Sequence, residues 1–161
     1  MIKNHKTTII ATIFFIIALT FSYVLFFRET KGPVNCTADA SRHFTNATLK
    51  LTYTVRMNEG DGLITMLGSL EQNNIETGKI SRQIYFDYTN DRFYYNFVST
   101  KAISSNNDTV SDDVLARYTP DFFIKPGKVR AFDIIPTNKS GWVFLMHSLP
   151  FIQCSNMLDA K

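Results

Sequence analysis

The sequence predicts a mainly β protein, with an N-terminal transmembrane helix followed by a small antiparallel β-barrel or half-barrel that carries one short helix. Three observations lead there. Residues 7–27 form a single apolar run without a charged side chain. Beyond it, apolar and polar residues alternate with period two in stretches separated by Gly, Pro, Asn and Asp, the pattern of half-buried strands joined by tight turns. Two cysteines, Cys36 and Cys154, bracket nearly all of the chain beyond the run.

The run TTIIATIFFIIALTFSYVLFF, wound as a helix, is long enough to cross the roughly 30 Å of a bilayer core. It contains no A-x-A cleavage signal and stays apolar to Phe27, so it reads as an uncleaved anchor rather than a signal peptide. The organisation expected is a cytoplasmic tail over 1–6, the anchor over 7–27, a juxtamembrane linker over 28–43 and a periplasmic β-domain over 44–161. Lys3 and Lys6 on one side of the run nearly balance Arg28 and Lys31 on the other, so flanking charge does not fix the orientation. The 17 basic and 14 acidic residues give a net +3, and Lys3 and Lys6 precede the run. The part beyond the run is therefore close to neutral and has no electrostatic footprint for nucleic acid.

From Thr48 to Met57, Leu49, Leu51, Tyr53, Val55 and Met57 share one face of a strand, and Asn58–Gly62 reads as a hairpin connection. LITMLGSLE returns with Ile64, Met66, Gly68 and Leu70 on its more apolar face, Gly68 marking a bulge or bend. KISRQIYFDY places Ile80, Ile84, Phe86 and Tyr88 together, and RFYYNFVST turns Phe93, Tyr95 and Phe97 inward. Residues 102–113 are polar and expected to be mobile. Thr109 and Asp112 resemble a capping box for a short helix striped by Val110, Val114 and Tyr118 and ended by Pro120. Pro126-Gly127 and Asn138–Gly141 make turns before KVRAFDII and WVFLMHSL, the second reading as a central strand containing a core His147. Phe151–Cys154 adds a short last strand. Six to eight strands result, closing into a barrel or a half-barrel plugged by the helix.

Cys36 stands nine residues beyond the apolar run, too far for a lipid attachment site. Cys36, His43, His147 and Cys154 would complete a zinc tetrahedron, but their local spacing is wider than zinc sites use. A disulfide needs only the oxidising compartment that an exported domain occupies. It is the reading the sequence favours, two free buried thiols being the alternative. It also places the β-domain outside the cytoplasm.

No nucleophile elbow, phosphate loop or H-E-x-x-H occurs, and the carboxylates fall mostly in turns. No catalytic residue, metal ligand or cofactor is therefore assigned. Arg82 lies in the otherwise apolar row of Phe86 and Tyr88, where it could hold the acidic head of an amphipathic ligand, making Arg82, Phe86 and Tyr88 the candidate contacts. The plainer reading, which we prefer, puts Arg82 near a strand end with its head in water.

The layout, with the stretches GLITMLGSL, ISRQIYFDY, FYYNFVST and GWVFLMHSLPFIQC, resembles the FidL-like family of small enterobacterial membrane proteins. The resemblance implies a single-pass bacterial inner-membrane protein with a cytoplasmic N-terminus. Its periplasmic domain would act, as in the pairing of ToxR with ToxS, as the accessory partner of a membrane-anchored winged-helix regulator, stabilising or modulating it. A small amphipathic ligand is a further expected partner. The alternatives are a stand-alone envelope protein that binds ligands or acts like a chaperone, and an envelope enzyme.

Overall fold

The period-two patterns become eight strands: β1 (Val34–Phe44), β2 (Ala47–Asn58), β3 (Asp61–Gln72), β4 (Ile75–Asp91), β5 (Tyr94–Ser104), β6 (Val129–Thr137), β7 (Gly141–Met146) and β8 (Leu149–Asn156). They pair antiparallel in chain order and close, β1 against β8, into a barrel. The half-barrel alternative is thereby replaced by a closed one. The structure is a computed structural model that describes residue 9 and residues 12–22, 34–137 and 141–156. The chain divides into two units, Met1–Gly32 and Pro33–Lys161.

In the first unit, residues 12–22 form a helix, α1, whose residues are all exposed, among them Phe14, Phe15, Ile17 and Phe21. No helix of the described residues is long and apolar enough to cross a membrane. The span expected over 7–27 lies partly outside those residues.

In the second unit, β2 buries Leu49, Leu51, Tyr53, Val55 and Met57 on one face, as the alternation requires. β4 does the same with Ile80, Arg82, Ile84 and Phe86. Two-residue loops join β1 to β2, β2 to β3, β3 to β4, β4 to β5 and β7 to β8. Asn73 and Asn74 both take positive φ (51° and 64°), as do His147 and Ser148 (52° and 64°), the conformation whose twist suits a two-residue hairpin. His147 is therefore an exposed loop residue and not a core histidine. Phe93, expected inward, is likewise exposed in the β4–β5 loop. The turn expected at 138–141 lies outside the described residues except for Gly141, which opens β7.

Gly68 permits a close approach between β2 and β3. A Cβ there would fall on the Lys50 carbonyl of β2, which is backbone and cannot swing aside. The bend predicted at Gly68 is thus a close approach of two strands.

β1 begins at Val34, inside the stretch 28–43 expected as linker. Val34, Cys36 and Ala38 are its buried residues. The long β5–β6 connection holds the short helix α2 (Asp112–Leu115) and a 3-10 turn (Asp121–Phe123). It folds into one barrel mouth, burying Leu115, Phe122, Phe123 and Ile124. Phe122 meets Phe86 and Phe97 at 6.0 and 6.1 Å between ring centroids. Up-and-down order puts the β1–β2, β3–β4 and β7–β8 loops at this plugged mouth, and the start of β1 and end of β8 at the other.

Candidate functional site

Closure of the barrel rests on very little backbone pairing. Among the described residues, β1 and β8 pair only at Cys36↔Asn156 and Thr37↔Ser155. Cys36 and Cys154 are joined by a disulfide with 5.4 Å between their Cα atoms, within the range such bonds span. The disulfide expected from the sequence is present, and it fastens the seam.

Past Thr37 the seam is unzipped. Residues 38–44 of β1 continue paired to β2 alone, and residues 149–153 of β8 to β7 alone. The Arg42 side chain stands between them. Its guanidinium carbon lies 4.2 Å from the centroid of the Phe151 ring, and its Nη2 donates a long 3.5 Å hydrogen bond to the Phe151 carbonyl. Behind it, Phe151 stacks on Phe123 at 5.6 Å, and Tyr53 packs 5.7 Å from Phe151 and 6.0 Å from Phe123.

The Tyr53 hydroxyl is buried and has no hydrogen-bond partner among the described residues. Burial pushes its pKa up to about 12, against the opposing charge of Arg42. A folded pKa above the unfolded value means that the unfolded chain loses its proton first. The contribution to stability is therefore complete below pH 10 and is lost as pH rises through about 12. Over that window Tyr53 accounts for a fall of about 2–3 kcal/mol. Tyr53→Phe is expected to leave stability at pH 7 unchanged or slightly raised and to flatten that alkaline fall, as read by urea titrations at pH 9 and pH 12.

Arg82 faces inward as its row requires, but it is buried, with 3% of its surface exposed, and does not reach water. Its Nε donates to Asp108 Oδ2 at 2.8 Å, its Nη1 to Asp112 Oδ1 at 2.5 Å and its Nη2 to the Val110 carbonyl at 2.6 Å. Asp108 also accepts from the backbone N–H groups of Ser81 and Val110. Burial alone would lower the Arg82 pKa, but hydrogen bonds and charge from Asp108 and Asp112 outweigh it and the net shift is upward. The guanidinium is thus committed to fastening the β5–β6 connection onto β4. The connection expected to be mobile is held in place by this cluster. Thr109 is no helix cap, since its hydroxyl accepts from the Lys79 N–H, and α2 begins after Ser111 without a side-chain cap.

The other two candidate contacts lie within the aromatic interior. Phe86 stacks on Phe97 at 4.3 Å, and Tyr88 packs against Phe86, Tyr95 and Phe97. Arg82 and Phe86 share a row but present no common open surface. The zinc tetrahedron is not assembled, because the two cysteines bond each other, His43 meets Thr48 and His147 sits in a hairpin loop. Among the described residues no group of three or more His, Cys, Asp or Glu is placed to hold a metal. One cleft, of about 480 Å³, lies on the wall between Arg56, Leu63 and Tyr85.

Together these features define an aromatic-filled up-and-down barrel, plugged at one mouth and closed by a disulfide across a half-open seam. The chain belongs to the YqeJ C-terminal domain family, whose profile matches residues 33–154. That match spans the second structural unit from its start to the second half-cystine. Over 168 aligned residues the chain is 24% identical to the uncharacterised protein YqeJ of Escherichia coli (strain K12), covering 96% of this chain and 99% of that one. The resemblance to the FidL-like family, and with it to ToxS, is corrected by these matches. The stretches that carried it are strands β3, β4, β5, β7 and β8, whose alternation any aromatic barrel shares.

Proposed function

We propose that this chain is a membrane-anchored envelope protein whose barrel binds another protein and modulates it, without a reaction of its own. The observation that carries the reading is the filled interior. Phe86, Phe97, Phe122, Phe123 and Phe132 are all buried and pack on one another where a ligand-carrying barrel would be hollow. Recognition then falls to the wall and the seam.

Two features support the setting. A disulfide that closes the barrel suits an oxidising compartment. The α1 residues, uncharged, mostly apolar and all exposed, are a surface that a bilayer would cover. The setting proposed is a bacterial inner membrane, spanned once by 7–27, with the N-terminus cytoplasmic and the barrel periplasmic. The partner to test first is a membrane-bound regulator with a periplasmic domain.

The test is photocrosslinking in cells from residues on the barrel wall, followed by purification of the full chain from membranes. A single protein crosslinked in near-stoichiometric amount, and lost when the barrel is unfolded by reduction, is the expected outcome. A folded, oxidised chain that crosslinks to no protein from any wall position would overturn the reading.

A further inference from the structure

We infer that the unzipped length of the β1–β8 seam is a docking slot for an extended, carboxylate-bearing peptide segment of a partner protein. The inference rests on the reading that the barrel binds protein, and it names the chemistry recognised.

The backbone comes first. Every second residue of a strand turns its N–H and C=O toward one neighbour. Along 38–44 and 149–153 those groups find no partner in the facing strand. An added strand supplies such partners directly. Pro150 has no N–H to offer, so β1 is the better template. Its seven open residues span about 23 Å, the length of a short extended peptide.

Two side chains, Arg42 in the gap and Tyr53 buried behind it, specify what that peptide carries. Arg42 has no carboxylate within ion-pairing distance among the described residues, and the one hydrogen bond it donates, to the Phe151 carbonyl, is long. The Tyr53 hydroxyl is buried, unpaired, and close enough to Arg42 to feel its charge. A phenylalanine would pack equally well against Phe123 and Phe151, and a buried hydroxyl without an acceptor is unfavourable. Both groups donate, and a carboxylate that enters beside Arg42 and uncovers Tyr53 is the acceptor both lack. A neutral peptide would leave Arg42 unanswered. A free small acid would leave the strand edges unpaired. An acidic side chain on an extended peptide answers all three.

The experiment displays random dodecapeptides on phage against the full chain in detergent micelles with its disulfide intact, and counter-selects against the Arg42→Gln chain. Enriched peptides are expected to alternate apolar and polar residues around one Glu or Asp. A synthetic copy should bind at least tenfold more weakly when that acid is replaced by its amide, and again when Tyr53→Phe or Arg42→Gln is introduced, with the urea midpoints of both variants near wild type. Amide exchange should slow along 38–44 in the complex.

Failure to enrich any peptide over the counter-selection would overturn the inference. So would binding indifferent to the acid, protection confined to another strand, or displacement by glutamate at the peptide's own concentration. Each of these leaves the protein-binding reading to be judged by crosslinking from the wall, which does not depend on Arg42 or Tyr53.

Discussion

Reducing the Cys36–Cys154 disulfide is expected to lower the unfolding free energy by about 4–5 kcal/mol, the chain-entropy value for a loop of this length. The half-cystines are 118 positions apart, so the loop they close takes in nearly the whole barrel. The native seam has little with which to replace it, since among the described residues two residue pairs join β1 to β8. Every other junction in the barrel is between sequence neighbours and has at least five pairs. Paired urea titrations of the oxidised chain and a Cys36→Ser, Cys154→Ser double variant measure the difference. A shift under about 1 kcal/mol would mean that the seam holds without its covalent bond, contrary to the loop-entropy argument.

Arg82→Met is expected to cost about 3–5 kcal/mol, because it leaves Asp108 buried without its counter-charge. The Asp108 carboxylate is only 2% exposed, so water does not take the place of the guanidinium. Asp112 is 54% exposed and is solvated when its partner goes, so Asp112→Asn should cost less than about 1 kcal/mol. The contrast between the two variants is the informative measurement. Equal effects would show that the exposed pair with Asp112 matters as much as the buried pair with Asp108, contrary to the burial argument. Protease cleavage between 105 and 111 should rise in Arg82→Met, since that segment is fastened through the cluster.

Strands whose inward residues are large were legible. Leu49 to Met57 repeat apolar side chains every second position, as do Ile80 to Tyr88 apart from Arg82, and burial follows the repeat through Phe86. β1 was harder to see, because its inward positions are Cys36, Ala38, Ala40 and Arg42, too small or too polar to stand out. The parity was nonetheless present, and it places Arg42 on the same face as Cys36. The β5–β6 connection misled for the opposite reason. Its polar residues looked solvated, whereas Asp108 turns inward to a charge 26 positions away. An arginine on an apolar row, with no acid within four residues of it along its own strand, was the available sign that an acid must come from elsewhere. The β7–β8 loop gave no glycine or asparagine to mark it. His147 and Ser148 take positive φ because the two strands they join demand it, and the apolar run simply reads through them.

The single seam also sets an order of events. Seven of the eight strand junctions join neighbours in sequence, most through two-residue loops, and such hairpins form in microseconds without waiting for the rest of the chain. Joining β1 to β8 is different, since it brings together two segments separated by nearly the length of the domain and must await the sheet that curls them into proximity. Synthesis runs from β1 to β8, so the first strand to emerge has its last partner made only at the very end. Until then its outer edge is bare. Oxidation of Cys36 with Cys154 is thus a terminal step, one that records that the sheet has already curled correctly, and the disulfide acts as a latch on a nearly finished barrel.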